Sequence, residues 1–169
     1  MKEIQTSEYQ ELAIRICNIL DENKATDINL IDISKTSNVA DYFVVATGTS
    51  KVQVRAIMDE IEHQLETDGI FVLRRDGVGD GRWVVLDYGV IIVHIFTSDL
   101  REYYHVEKLW IDGKNTMNMA TITKLQEKLQ KEKEMLAKQK EEKEKAKASK
   151  ATPKIKTAKK ETKKAKGEK

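Results

Sequence analysis

Residues 41–50 read DYFVVATGTS and predict a buried strand that turns directly into a helix. The aromatic and β-branched residues at its start are typical of strands. Gly48 marks the turn, and Ser50 with Gln53 gives the Ser-x-x-Gln pattern that caps a helix start. Such a junction can also hold phosphate, because the first backbone N–H groups of the helix point at the ligand. The segment therefore predicts either a nucleotide site or a well-capped turn.

The sequence on either side of this junction predicts further helices and strands. Helical spacing predicts helices at about Ser7–Asn23, from Ser50 to Gly69 and from a Ser98 cap toward Tyr104, with a last turn of helix near Trp110. Strands are predicted at Ile28–Ile33, Tyr42–Thr47, Ile70–Leu73, Trp83–Tyr88 and Val90–Phe96. The segment 76–81 is predicted as a hairpin loop, and Gly89 as a tight turn. This order of elements predicts an α/β sandwich with a mixed sheet.

Charge divides the chain into two parts. Residues 1–112 carry 11 Lys and Arg against 20 Asp and Glu, a net charge of −9. Residues 113–169 carry 19 against 8, a net charge of +11. We therefore predict an acidic α/β domain at 1–112, followed by a Lys/Glu-rich tail that is helical at first. After Pro153, which ends any such helix, the composition predicts a disordered basic end.

The composition also predicts a compartment. Cys17 is the only cysteine, so no disulfide can form within the chain, which fits a reducing environment. No apolar run reaches the roughly 20 residues of a membrane helix. The first residues resemble neither a signal peptide nor a transit peptide. We expect a cytoplasmic protein that does not enter a membrane.

A nucleotidyltransferase or a nucleotide-binding regulator is the alternative function that the Gly48 turn raises. Such an enzyme needs paired carboxylates to hold a divalent metal. The strand predicted after the helix, Ile70–Leu73, has no acidic residue, and Asp76, Asp80 and Asp87 form no fixed pair. The histidines lie on different predicted elements without ligand spacing: His63, His94 and His105. The residues therefore predict no metal, no cofactor and no catalytic group.

Aromatic residues are concentrated between residues 83 and 110, where both tryptophans lie. Strand alternation places Trp83 and Asp87 on one face of their strand and Tyr88 on the other. Tryptophan and tyrosine are enriched among the residues that anchor protein interfaces. They are equally common in cores, so this pattern alone leaves both roles open.

The chain resembles the Iojap or ribosomal silencing factor (RsfS) family over about residues 7–112. These motifs carry the resemblance: Ala40-Asp41-Tyr42-Phe43, Thr47-Gly48-Thr49-Ser50, Gln53-Val54, Trp83, Asp87-Tyr88-Gly89, Val93-His94-Ile95-Phe96, Arg101, Tyr104, Glu107, Leu109 and Trp110. The chain departs from the family at Asp76-Gly77, where Glu-Gly is usual. We also expect the tail after residue 112 to have no counterpart in the family.

The resemblance implies a nucleotidyltransferase-like α/β fold that lacks catalytic acids, and a protein that is not an enzyme. It implies binding to the large ribosomal subunit through a ribosomal protein on the subunit-facing surface. Small-subunit joining would then be blocked and translation repressed when nutrients are short. The resemblance also implies possible self-association.

The family's contact surface implies partner-binding residues here. It maps to Trp83, Asp87 and Tyr88, to which we add three residues from the same aromatic segment: Arg101, Tyr104 and Trp110. For the tail two roles stay open, since its +11 charge suits non-specific contact with ribosomal RNA phosphates as well as a solubilising extension.

Overall fold

The computed structural model of the chain describes residues 2–149, with side chains from 8 to 145. Its helices and strands follow in this order: α1 (Lys2–Glu22), β1 (Thr26–Asp32), β2 (Tyr42–Gly48), α2 (Lys51–Glu66), β3 (Arg74–Asp76), β4 (Trp83–Asp87), β5 (Ile91–Thr97), α3 (Ser98–Tyr104), a 3₁₀ helix (Val106–Leu109), β6 (Thr116–Asn118) and α4 (Met119–Ser149). None of the helices in this described part is long and apolar enough to cross a membrane.

The strands form one six-stranded sheet in the order β3-β4-β5-β2-β1-β6. β2 and β5 pair in parallel, and every other neighbouring pair is antiparallel. All seven residues of β2 and all seven of β5 are buried, as expected for central strands that are covered on both faces. The predicted mixed-sheet α/β fold is confirmed.

The two faces of the sheet are covered differently. On the back face, α1 and α2 pack over the central strands and bury residues such as Val44 and Val93. On the front face, α3, the 3₁₀ helix and the residues around Trp110 cover the sheet only in part. In β4 the predicted alternation is confirmed: Val84 and Leu86 are fully buried, whereas Trp83 and Val85 pack on the front.

Three predicted boundaries are wrong. The strand predicted at Ile70–Leu73 lies instead at β3, because the chain is still leaving α2: Gly69 has a φ of +75° and the Ile70 N–H donates to the Leu65 carbonyl. The first helix does not begin at Ser7, since α1 extends to Lys2. The cap predicted at Ser98 is also displaced, since Thr97 is the N-cap of α3.

The sheet extends beyond residue 112. β6 was not predicted, yet it pairs with β1 at the edge of the sheet. A first compact unit of the chain ends at Lys128, and a second begins at Leu129. The first part of the predicted tail is helical in α4. The helix end at Pro153 and the predicted disorder lie outside the described residues.

The junction between β2 and α2 is closed by its own side chains. The Ser50 Oγ accepts the Gln53 N–H at 3.2 Å, and the Gln53 Oε1 accepts the Thr49 N–H at 2.6 Å. The predicted Ser50 cap is confirmed, whereas the Gln53 side chain bonds to Thr49, one residue before the N-cap that a capping box would use. Gly48 is required by packing, because a Cβ there would lie 2.8 Å from Val54 Cγ2.

We predict that Gly48→Ala lowers the free energy of unfolding by about 1–3 kcal/mol, since the added methyl group overpacks the contact with Val54. Gly79→Ala is the matched control, because no atom lies within 4 Å of its Cβ position and a change there should stay within about 0.5 kcal/mol. Urea denaturation of both variants measures the difference. Equal losses would show that the Gly48 contact is not tight.

Candidate functional site

An aromatic surface lies on the front face of the sheet, where α3 leaves it partly uncovered. We define it by six residues: Phe43, Trp83, His94, Phe96, Tyr104 and Trp110. Trp83 is at its centre, stacked on Phe96 with the ring centroids 4.7 Å apart and packed against Tyr104 at 5.1 Å. Offset and tilted ring pairs of this kind are favourable beyond the area they bury.

Trp110 extends the aromatic surface across the neighbouring strand. Its ring meets Phe43 edge-to-face at 5.4 Å, and Phe43 in turn meets His94 at 5.1 Å. The rim is exposed, since Tyr104 is 49% and Leu109 80% accessible. The result is a rigid aromatic centre with apolar side chains in water at its edge, which is the composition of a protein-binding surface.

His94 is buried in the middle of the aromatic surface. Its Nδ1 accepts the Trp83 indole N–H at 3.3 Å. Burial, aided by the charge of Arg101 and opposed by that of Glu107, lowers the pKa of His94 to about 4. The imidazole is therefore neutral at physiological pH.

Arg101 fastens α3 to the end of the sheet. The residue is 5% exposed, and its guanidinium donates to Glu107 Oε1 at 2.7 Å, Thr47 Oγ1 at 3.2 Å and the Asp27 carbonyl at 3.1 Å. Asp27 has a φ of +50°, a left-handed conformation that the contact with Arg101 helps to hold. Arg101 is thus committed to internal contacts beneath the aromatic surface.

Asp87 and Tyr88 lie apart from the aromatic centre. Asp87 is on the front face with Trp83, but its Oδ1 accepts the Gly89 N–H at 2.8 Å and closes the turn into β5. Tyr88 is 8% exposed and faces α2; burial, together with the charges of Glu62 and Glu66, raises the pKa of its hydroxyl. Its side chain is on the opposite face from Trp83.

The structure therefore brings together only part of the predicted site. Trp83, Tyr104 and Trp110 share one surface, Asp87 lies at its margin, and Arg101 and Tyr88 do not reach it. The residues missed as site members are Phe43, His94 and Phe96. Alternation along β2 and β5 would have placed all three on the face of Trp83, had the pairing of those strands been known.

At the strand-to-helix turn after Gly48, two backbone N–H groups are already bonded by side chains of the turn itself. Ser50 Oγ accepts the N–H of Gln53, and Gln53 Oε1 accepts the N–H of Thr49. Within residues 8–145, no group of three or more His, Cys, Asp and Glu side chains could hold a metal ion. Cys17 is buried, which raises its thiol pKa to about 12 and leaves it protonated.

Comparison with known proteins defines the class of this chain. A family model described as "Ribosomal silencing factor during starvation" (RsfS) matches residues 6–164, and the chain therefore belongs to the RsfS family. The expected resemblance is confirmed. The matched range continues past residue 112 into the predicted tail.

Individual relatives agree with this assignment. The chain is 45% identical over 93 residues to the ribosomal silencing factor RsfS of Bacillus subtilis, covering 55% of this chain and 79% of that protein. A crystal structure from Bacillus halodurans matches with a TM-score of 0.56 and 34% identity over 67% of this chain and 99% of the other. A Mus musculus protein named "Mitochondrial assembly of ribosomal large subunit protein 1" is 26% identical over 98 residues, 56% of this chain and 43% of that protein.

We predict that Arg101→Met lowers the free energy of unfolding by about 3–5 kcal/mol, because it leaves the partly buried Glu107 carboxylate without its partner. Arg82→Met is the control, since Arg82 pairs with Asp80 at the surface and its loss should cost at most about 1 kcal/mol. Urea denaturation monitored by circular dichroism compares the two. Similar small losses for both would contradict the structural role of Arg101.

Proposed function

We propose that this protein represses translation by binding the large ribosomal subunit and blocking the approach of the small subunit. The contact is made with a ribosomal protein on the subunit-facing surface, and the repression acts when nutrients are short. The family description supports silencing of ribosomes during starvation, and the name of the mouse relative supports the large subunit as the target. We place this activity in the cytoplasm, where bacterial ribosomes work.

The observation that carries the proposal is the aromatic surface. A tryptophan held between Phe96 and Tyr104 needs no further ordering when a partner covers it, so little side-chain entropy is lost on binding. The exposed Leu109 and Tyr104 enlarge the apolar area that a partner can bury. Asp87 lies at the margin, where a basic group of the partner can meet it.

The charge of the domain favours a protein partner over direct docking on RNA. Residues 1–112 have a net charge of −9, which attracts basic ribosomal proteins and is repelled by phosphates. Steric blocking needs no chemical step, only a domain bound at a surface that the small subunit must contact. We accordingly propose that the protein is not an enzyme, which fits the self-capped turn at Gly48.

We predict that Trp83→Ala and Tyr104→Ala each weaken binding to purified large subunits by about 2 kcal/mol or more, as the loss of interface anchors does. Co-sedimentation over a range of subunit concentrations measures the affinity. Full co-sedimentation of both variants at the wild-type concentration would remove the aromatic surface from the contact.

Two control variants separate binding from folding in this experiment. Val52→Ala shortens an exposed apolar side chain on α2, away from the front face. Tyr88→Phe removes a hydroxyl that faces α2. Both should bind like the wild type. Weak binding by Tyr88→Phe would instead assign the contact to the α2 side of the molecule.

We further propose that the lysine-rich end of the chain contacts ribosomal RNA. Residues 129–169 carry 16 lysines against 7 glutamates, a net charge of +9, and contain no arginine. Lysine acts as a point charge toward phosphates and does not impose the bidentate geometry of arginine. Such contacts are independent of base sequence and strengthen binding in low salt.

Truncation after Lys128 tests the role of this end, because it leaves β6 and the buried Ile122 in place. We expect the affinity of the truncated protein for large subunits to depend less steeply on salt, by about 0.7–0.9 in the logarithmic slope for each lost phosphate contact. The binding is measured between 50 and 200 mM salt, about the range over which such contacts weaken. An unchanged slope would leave the tail as a solubilising extension.

A further inference from the structure

The hydrogen bond between Trp83 and His94 determines the tautomer of the histidine as well as the position of the indole ring. The indole Nε1–H can only donate, so His94 Nδ1 at 3.3 Å must be the unprotonated acceptor. In a neutral imidazole the proton is then on Nε2. Burial keeps the ring neutral, so a second proton does not displace the indole N–H from Nδ1 near neutral pH.

The position of His94 in the sheet makes this bond stiff. His94 is on β5, where it pairs with Val45 of β2 on one side and with Val85 of β4 on the other. Trp83 is two residues before Val85, so the bond runs diagonally across the front face. The His94 ring is further confined by Phe43 at 5.1 Å and Phe96 at 6.1 Å. The acceptor is therefore held by backbone pairing and by ring contacts together.

The Nε2 atom of His94 lowers the stability of the folded protein, so packing alone does not explain why a histidine occupies this position. It is buried, and no hydrogen-bond partner for it lies within the described part of the chain. A buried N–H without a partner is destabilising, and an aliphatic side chain of similar size would avoid that cost. The residue at this position is thus better suited to accepting the Trp83 N–H than to stabilising the core.

We propose that His94 is the positioning residue of the aromatic surface: it fixes the indole ring of Trp83 and occupies its only hydrogen-bond donor. Trp83 then presents its hydrocarbon surface to a partner. The partner would recognise it by an apolar recess and not by a hydrogen-bond acceptor aimed at the indole nitrogen. This inference rests on the proposed function for its consequence in binding, but the fixed position of Trp83 can be measured without a ribosome.

The test compares His94→Leu with His94→Asn in the full chain. Leucine has a similar volume and no acceptor, whereas the asparagine side-chain oxygen lies about where Nδ1 was and can accept the indole N–H. His63→Asn, at an exposed histidine on α2, is the control for loss of an imidazole. Trp110→Phe assigns the two indole N–H resonances in spectra of the ¹⁵N-labelled protein.

Three quantities are measured for each variant: hydrogen exchange of the Trp83 indole N–H, the thermal unfolding midpoint and the affinity for purified large subunits. For His94→Leu we expect exchange at least about tenfold faster, since the N–H loses its acceptor. We expect its affinity to be about threefold to tenfold weaker, the cost of ordering one free side chain. The unfolding midpoint should stay level or rise, and His94→Asn and His63→Asn should resemble the wild type in exchange and binding.

The outcomes separate this inference from the proposed function. Unchanged exchange in His94→Leu, or exchange in His94→Asn as fast as in His94→Leu, would overturn the positioning role. A lowered midpoint in His94→Leu that accompanies the loss of binding would also overturn it, because His94 would then be structural. If the wild type itself does not bind large subunits, the proposed function fails, and the exchange data alone decide the position of Trp83.

Discussion

The parallel pairing of β2 with β5 determines what each face of the sheet presents. It sets Phe43 beside Ile92 and Val45 beside His94, with both strands buried along their whole length. A shift of one residue would turn every side chain of a strand to the other face. This register therefore places Phe43, His94 and Phe96 on the front, where Trp83 of β4 stacks on Phe96.

The aromatic surface exists because the two faces are covered unequally. On the back, α1 and α2 bury the central strands, whereas on the front the seven-residue α3 and a 3₁₀ helix cover only part of the cluster. Arg101 holds α3 in place by bonding three separate parts of the chain. Trp83, Tyr104 and Trp110 are consequently packed against neighbouring rings but still partly accessible, a combination that lowers the entropic cost of binding a partner.

Local sequence patterns predicted the elements that are determined locally. The capped turn after β2 and the alternation along β4 could both be read from spacing. β6 could not, because its three residues have no apolar pattern and form a strand only by pairing with β1. The apolar run Ile70–Leu73 was predicted as a strand, but hydrogen bonds at the end of α2 determine its path. The residue types in the run do not show these bonds.

Local sequence patterns likewise predicted only part of the candidate site. Trp83, Tyr104 and Trp110 were identified by residue type and by resemblance, and the structure brings them together. Arg101 looked equally suitable, but its bond to Thr47 spans 54 residues and no local pattern shows that it is buried. Tyr88 was predicted as an anchor although its alternation with Trp83 placed it on the other face.

We propose that this domain occupies the large subunit in place of the small one. Sedimentation of the full chain with separated ribosomal subunits through a sucrose gradient tests it most directly. We expect the protein to migrate with free large subunits, to be scarce on joined ribosomes, and to reduce the joined fraction as its concentration rises. Comigration with joined ribosomes, or a joined fraction that does not change, would contradict it.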